Sequence, residues 1–194
     1  MDISKQLLAT ASLAVCAACG GSNAKTYSLT GTATVTGTVA GQSMTATDAV
    51  SNVVAIGSSS AGAILITTAT AQCNLINAHQ QLKNGKALAI EVGTQTGTAV
   101  APPVVGTYNI FNSTAINAQQ GKVGVVQFVV TNATCNGSPV DAQSGTVTLT
   151  RVDDTGYTGT FDLTFSTTTD HISGTFNSGT CSALGGSTSS TCPP

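Results

Sequence analysis

The stretch GTVTLTRVDDTGYTGTFDLTFSTTTDHISGTFNSGTC, residues 145–181, decides the fold class. Phe161, Leu163 and Phe165 alternate with Thr160, Asp162, Thr164 and Ser166. Ile172, Gly174 and Phe176 alternate with His171, Ser173, Thr175 and Asn177, and Val147 and Leu149 alternate with Thr146, Thr148 and Thr150. A period of two places one set on a core face and the other in water. Three successive antiparallel strands are expected here, with one turn at Asp153-Asp154-Thr155-Gly156 and the next at Asp170-His171.

The rest of the composition points the same way. A chain of 194 residues is long enough for one domain with a real core. Charged residues make up 7%, against roughly 25% in an ordinary globular domain. Thr, Ser, Gly, Ala and Val take their place, a mix that favours strands and turns over helices. The net charge of -2, with six Lys and Arg in all, leaves no basic patch able to neutralise several phosphates, so a nucleic-acid partner is not expected.

Upstream of the meander, residues 27–40 read as one long strand or two, turning at Gly41-Gln42 into a short strand over 43–47. Strands follow over 49–56 and 63–70, on either side of a Ser/Gly turn. Between residues 72 and 83, Leu75, Ile76, Ala78, His79 and Leu82 fall at helical spacing, and Asn84-Gly85 reads as the stop. Strands are then expected over 87–93, 106–111 and 123–131, the last apolar on both faces and therefore central. Loops fill 94–105, with Pro102-Pro103, as well as 112–121 and 132–144. The whole reads as an all-β fold of about nine or ten strands with one short helix. An antiparallel up-and-down barrel is expected, with a β-sandwich as the alternative.

At the N-terminus, Lys5 precedes a short apolar run ending in Ala17-Ala18-Cys19-Gly20-Gly21. The run is too short to span a bilayer and suits the core of a signal peptide. Small residues ahead of a Cys resemble the lipobox of bacterial lipoproteins, which implies a signal peptide over 1–18, lipidation at Cys19 and a tether over 19–25 before a single β domain at 26–194. Cys16, with Leu13 three residues ahead, is the alternative lipid site. A secretory signal cut nearby is the plainer reading. In the resembled family, a residue other than Asp after the lipidated Cys directs the protein to the outer membrane, and Gly20 meets that condition. Four segments also resemble short lipoproteins encoded by myxobacteria and their relatives: the Ala18-Cys19-Gly20-Gly21 start, Asn74-Leu75 after Cys73, Ser144-Gly145-Thr146-Val147-Thr148-Leu149, and Ser173-Gly174-Thr175-Phe176. That resemblance implies no activity. A looser likeness to lipocalins lacks their Gly-x-Trp motif, since the chain has no Trp.

Removing 1–18 and acylating Cys19 would leave Cys73, Cys135, Cys181 and Cys192, an even set suited to two disulfides in an oxidising compartment. If strands alternate direction from residue 63 onward, those ahead of Cys73 and Cys181 end on one side and the one ahead of Cys135 on the other. This favours Cys73–Cys181 with Cys135–Cys192. The local alternative pairs Cys181 with Cys192 and Cys73 with Cys135. A disulfide to Cys192 would hold the C-terminal tail.

Sites for chemistry are sparse. No GxSxG, HExxH, P-loop, GxGxxG or EF-hand spacing occurs, and no metal or other cofactor is implied. Asp170-His171 and Asp153-Asp154 sit at opposite ends of one strand and should not combine. Asp153-Asp154-Thr155-Gly156 lacks the further ligands of a calcium site. Arg151 shares the period-two face of Val147 and Leu149, so it is expected at the inner rim, either binding an anionic ligand or pairing with a nearby acid. His79 is expected to pack on the helix stripe. Asn112-Ser113-Thr114 and Asn132-Ala133-Thr134 match the glycosylation pattern by composition alone.

The leading expectation is a non-enzymatic envelope protein, attached to the membrane by its lipid and acting as a structural or interaction module, possible partners being other envelope proteins. A small apolar-ligand barrel lined by Phe161, Phe165 and Phe176 is the alternative. A hydrolase, requiring His79 or His171 to meet acids in a cleft, is the third.

Overall fold

The computed structural model describes residues 30–166, 169–186 and 190–193. The expected signal peptide, Cys16, Cys19 and the tether lie outside the described residues. The described chain is all-β: β1 (Thr32–Thr38), β2 (Asp48–Ile56), β3 (Ser59–Thr67), β4 (Lys86–Thr96), β5 (Ala99–Ala101), β6 (Gly106–Phe111), β7 (Gly121–Thr131), β8 (Gly137–Asp141), β9 (Ser144–Asp153), β10 (Gly156–Thr164), β11 (His171–Asn177) and β12 (Gly179–Thr180). One short helix, α1 (Gln72–Asn77), follows β3.

The strands form one curled sheet, a half-barrel, in the order β1-β11-β10-β9-β6-β7-β4-β3-β2-β12. Along that path the expected up-and-down antiparallel order holds only within β2-β3-β4 and β9-β10-β11, with β5 and β8 added off it as antiparallel partners of β4 and β7. β6 and β7 are parallel neighbours, as are β2 and β12. The reason lies in residues 112–120. They were read as a polar loop, but they cross the outer face and seat Ile116 on Val54, Ile56, Val123 and Val125. The chain therefore returns to start β7 at the same end as β6. The crossover is short, and only Asn109 and Ile110 of β6 pair with β7. The lower half of that β7 edge is taken by β8, in a hairpin within the region read as a loop.

The meander residues divide as the period of two requires. Val147, Leu149, Phe161, Leu163, Phe165, Ile172 and Phe176 all enter the main core, with Ile64, Ile66, Leu88, Ile90, Val126 and Phe128 from the other half. Glycines make room for the rings. Phe161 lies opposite Gly174 and Phe176 opposite Gly159 in the β10–β11 register. A Cβ on Gly174 would stand 2.7 Å from the Phe161 ring and closer still to the Thr34 carbonyl oxygen, and one on Gly159 would stand 2.9 Å from the Phe176 ring and closer still to the Thr148 carbonyl oxygen.

The two halves of the sheet differ on the outer face. Over β2, β3 and β4, α1 contributes Ile76 to a cluster with Val50, Leu65, Leu82, Ala87 and Cys181. Most residues on both faces of this half are thus dry, which explains the near-continuous apolar runs of β3, β4 and β7. Over β1, β11, β10, β9 and β6 the outer face is open.

The helix is half the expected length. It closes after Asn77 in a Schellman arrangement: the Gln80 N–H donates to Leu75 O (2.8 Å) and the His79 N–H to Ile76 O (3.0 Å). His79 holds the left-handed position usually given to Gly, at φ 54°. It therefore ends the helix instead of packing along its stripe, and Leu82 reaches the apolar cluster from the following loop. The 43–47 segment makes no ladder, although Met44 is buried in the core.

Candidate functional surface

Cys73 is bonded to Cys181 and Cys135 to Cys192, each pair with Cα atoms 5.6 Å apart. The strand directions are not those from which this pairing was expected. Because β6 and β7 are parallel, β3 and β7 run the same way and β11 runs opposite to both. What joins Cys73 to Cys181 is the start of β2. The Gln72 N–H donates to Asp48 Oδ2 (2.7 Å), and the Cys181 N–H donates to Ser51 O (2.8 Å).

Asp48 is a residue whose importance the sequence did not signal beyond an acid heading an apolar strand. It is buried, and its Oδ1 also accepts the Gly31 and Ala49 N–H groups, each at 2.8 Å. Asp48 thus ties the entry of β1, the start of β2 and the first turn of α1 to one carboxylate. It also supplies the acceptor that α1 lacks at its own N-cap, since Ala71 has no side-chain cap. Beside it in sequence, Gln72 is fully buried and its side-chain amide has no hydrogen-bond partner.

Arg151 departs from its expected face. The β9–β10 register shifts between Thr158 and Gly159, so that Thr158 faces Arg151 while Gly159 faces Leu149, and Thr150 is left over as a bulge. One extra residue flips the alternation, returning Val152 to the core side and turning Arg151 outward. Its Nε donates to Thr158 Oγ1 (3.1 Å), Nη1 to Thr155 Oγ1 (2.9 Å) and Nη2 to Asn177 Oδ1 (2.9 Å). Asp153 stands 3.6 Å from Nη1, with both side chains 41% exposed, too open for that ion pair to contribute much.

The turn acids are occupied locally. Asp153 Oδ1 accepts the Thr155 N–H (2.9 Å) and hydroxyl (2.6 Å). These bonds, more than the Arg151 charge, hold the Asp153 carboxyl below its ordinary value. Asn112 with Thr114 and Asn132 with Thr134 repeat the same pattern, with N–H bonds of 2.9 Å and hydroxyl bonds of 2.8 Å. The two glycosylation-like triplets are therefore Asx turns built like Asp153-Asp154-Thr155. At the other end of β10, Asp170 Oδ1 accepts the Ala40 N–H (3.1 Å), and His171 Nε2 lies 3.0 Å from Asp162 Oδ1 on the exposed face. His171 and Asp162 thus meet on an open sheet, away from the Asp153-Asp154 turn. Among the described residues no group of three or more His, Cys, Asp or Glu could hold a metal ion.

The open outer face carries an ordered row. In register, Thr34 faces Thr175, Thr175 faces Thr160, Thr160 faces Thr148, and Thr148 faces Thr107. The row crosses β1, β11, β10, β9 and β6 in turn. Its hydroxyls partly pair, Thr34 with Thr175 at 2.9 Å and Thr107 with Thr148 at 3.0 Å. The neighbouring row runs Thr36, Ser173, Asp162, Thr146 and Asn109. The result is a broad surface of methyls and hydroxyls with little charge.

Inside, two tyrosines carry perturbed hydroxyls. Burial pushes Tyr108 up, against its hydrogen bonds to Val104 and Thr94. Tyr157 is pushed up to about 12, chiefly by burial and then by Tyr108, and its hydroxyl has no partner. Phe161, Phe165 and Phe176, expected as the lining of a ligand chamber, pack within the core instead, Phe165 edge-on to Phe128 at 6.4 Å. No protein-family model, curated protein or solved structure matches the chain.

Proposed function

We propose that the chain is a non-enzymatic lipoprotein of a bacterial envelope, lipidated at Cys19, carried to the outer membrane, and acting there as a structural or interaction module. The observation that carries the module reading is the open outer face of β1, β11, β10, β9 and β6. This face is built of in-register hydroxyl rows, while the opposite half of the sheet is covered by the chain's own α1 and crossover. Two disulfides suit a protein that matures in an oxidising compartment. The lipobox-like run supports the anchor. Three acyl chains, as in the resembled lipoproteins, would hold the domain far more firmly than one.

Mass spectrometry of the membrane fraction tests the anchor. An acylated N-terminal peptide beginning at Cys19 is expected, and Cys19→Ala should move the protein to the soluble fraction. An unmodified mature chain in the soluble fraction would refute the reading. The hydrolytic alternative gains nothing from the geometry, since His171 meets Asp162 on an open face and His79 closes a helix.

A further inference from the structure

At the end of β1, the half-barrel opens in a groove of about 430 Å³. Phe128 is its floor, Val130 and Val140 are its apolar side, and Gln42, Asn136 and Ser138 form the rim. The register explains the arrangement: Phe128 faces Val140 and Val130 faces Ser138 across the β7–β8 hairpin, so one core-facing column runs out past the last covered layer. Val130 is consequently 37% exposed, although Phe128, two residues earlier on the same face, is buried.

We propose that this groove binds a small neutral molecule with an apolar body and a hydrogen-bonding end. None of the residues lining it is charged, and Lys86, which faces Val130 in the β4–β7 register, gives its ammonium to the Ser43 carbonyl, so an ionic ligand would lose its hydration without a free opposite charge in return. Its volume lies within the range of about 300–1,000 Å³ common to ligand clefts, and the mouth of a barrel is a recurrent place for them. Gln42 and Ser138 offer exposed side chains with donors and acceptors at the rim.

The walls are preformed, which lowers the ordering cost of binding. On one side, Val39 and Gln42 exchange backbone bonds of 3.0 and 2.9 Å around a turn with positive φ at Ala40 and Gly41, further held by Asp170. On the other, Asn132 Oδ1 accepts from the Thr134 and Asn136 N–H groups at 2.9 and 3.0 Å. Cys135–Cys192 secures the same loop. The groove begins at Val39, at the far end of β1 from residue 30 and roughly 30 Å along the chain from it.

The test uses the full chain with Cys19→Ala as the common background in membrane-free buffer, so that no acyl chain takes up the probe and the outcome does not depend on the anchor. N-phenyl-1-naphthylamine, a neutral apolar fluorophore, is titrated into wild type, Val130→Arg and Val53→Arg. Val53 is 46% exposed and lies outside the groove, so it controls for a surface arginine. Saturable enhancement is expected in wild type and Val53→Arg, with affinity falling at least about tenfold in Val130→Arg. Should Val130→Arg melt early by circular dichroism, Ser138→Glu, which only adds a rim charge, must give the same loss. Absence of saturable binding in wild type, unchanged affinity in the groove variants, or equal loss in Val53→Arg would overturn the proposal.

Discussion

The residues that matter most to the fold are polar ones inside it. Asp48 accepts N–H bonds from Gly31, Ala49 and Gln72, and replacing it by Ala would leave these buried donors unpaired. At about 1–3 kcal/mol for each orphaned group, Asp48→Ala should lower the unfolding free energy by at least about 3 kcal/mol, and Asp48→Asn by less, since one acceptor oxygen survives. Urea denaturation measures this; a loss below about 1 kcal/mol would show that the carboxylate is not the hub. Gln72 poses the opposite case. Its side-chain amide is buried without a partner, so Gln72→Met, similar in shape and free of that penalty, should be neutral or stabilising by about 1 kcal/mol. Tyr157 links the interior to pH. Its folded pKa of about 12 exceeds the ordinary 10.0, so its contribution is intact below about pH 10 and is lost as the pH climbs toward 12, because the unfolded chain ionises first. The gap corresponds to roughly 2–3 kcal/mol. Denaturation midpoints measured from pH 8 to 11.5 should fall less steeply in Tyr157→Phe than in wild type, the remaining slope belonging to Tyr108. An unchanged slope would place the alkaline sensitivity elsewhere.

At the scale of elements, the β9-β10-β11 meander shows what alternation can and cannot convey. Its core residues were legible because one face is wet and the other dry, so every second residue changes character. Gly174 looked like a gap in that pattern, yet it is the seat of the Phe161 ring. Gly174→Ala should therefore destabilise by about 1–3 kcal/mol or more through overpacking, because the added methyl meets the Thr34 carbonyl oxygen of β1 as well as the ring, although Ala suits a strand better than Gly does. A variant as stable as wild type in thermal melts would show that both the ring and the β1 backbone at Thr34 can move aside. The bulge at Thr150 was not legible from alternation alone, and it sent Arg151 to the wrong face. A signal existed: Leu149 and Val152 are both apolar and three apart, and only an extra residue lets both point inward. The helix failed for a different reason. Its apolar spacing continued to Leu82, but Leu82 reaches the same cluster from a loop, and periodicity does not distinguish the two routes.

For the whole molecule, the fold class was legible and the strand order was not. Period-two patterns describe faces, whereas order depends on where the chain crosses, and a nine-residue polar segment with one large apolar residue, Ile116, gave little sign of a crossover. That crossover makes β6 and β7 parallel and leaves β1 beside β11, so the start of the domain closes against its end. The two disulfides act on this closure unequally. Cys73–Cys181 spans 108 residues and Cys135–Cys192 spans 57, so chain entropy alone assigns each about 4–5 kcal/mol, too similar to rank them. Burial ranks them. Cys181 is packed with Val50, Leu65 and Ile76 beneath the helix and only its partner Cys73 is partly open, whereas both Cys135 and Cys192 are partly open to solvent on the tail and its loop. A thiolate must reach a sulfur to exchange with it, so limited reduction of the native protein should open Cys135–Cys192 first. Alkylation after brief exposure to dithiothreitol, read by peptide mass spectrometry, should label Cys135 and Cys192 while Cys73 and Cys181 remain joined. The Cys135→Ser/Cys192→Ser variant should keep the main core, because the β12–β2 pairing, Asp48 and the inner disulfide still hold the two ends of the sheet together. Labelling in the reverse order, or collapse of the core in that variant, would mean that the tail holds the half-barrel closed.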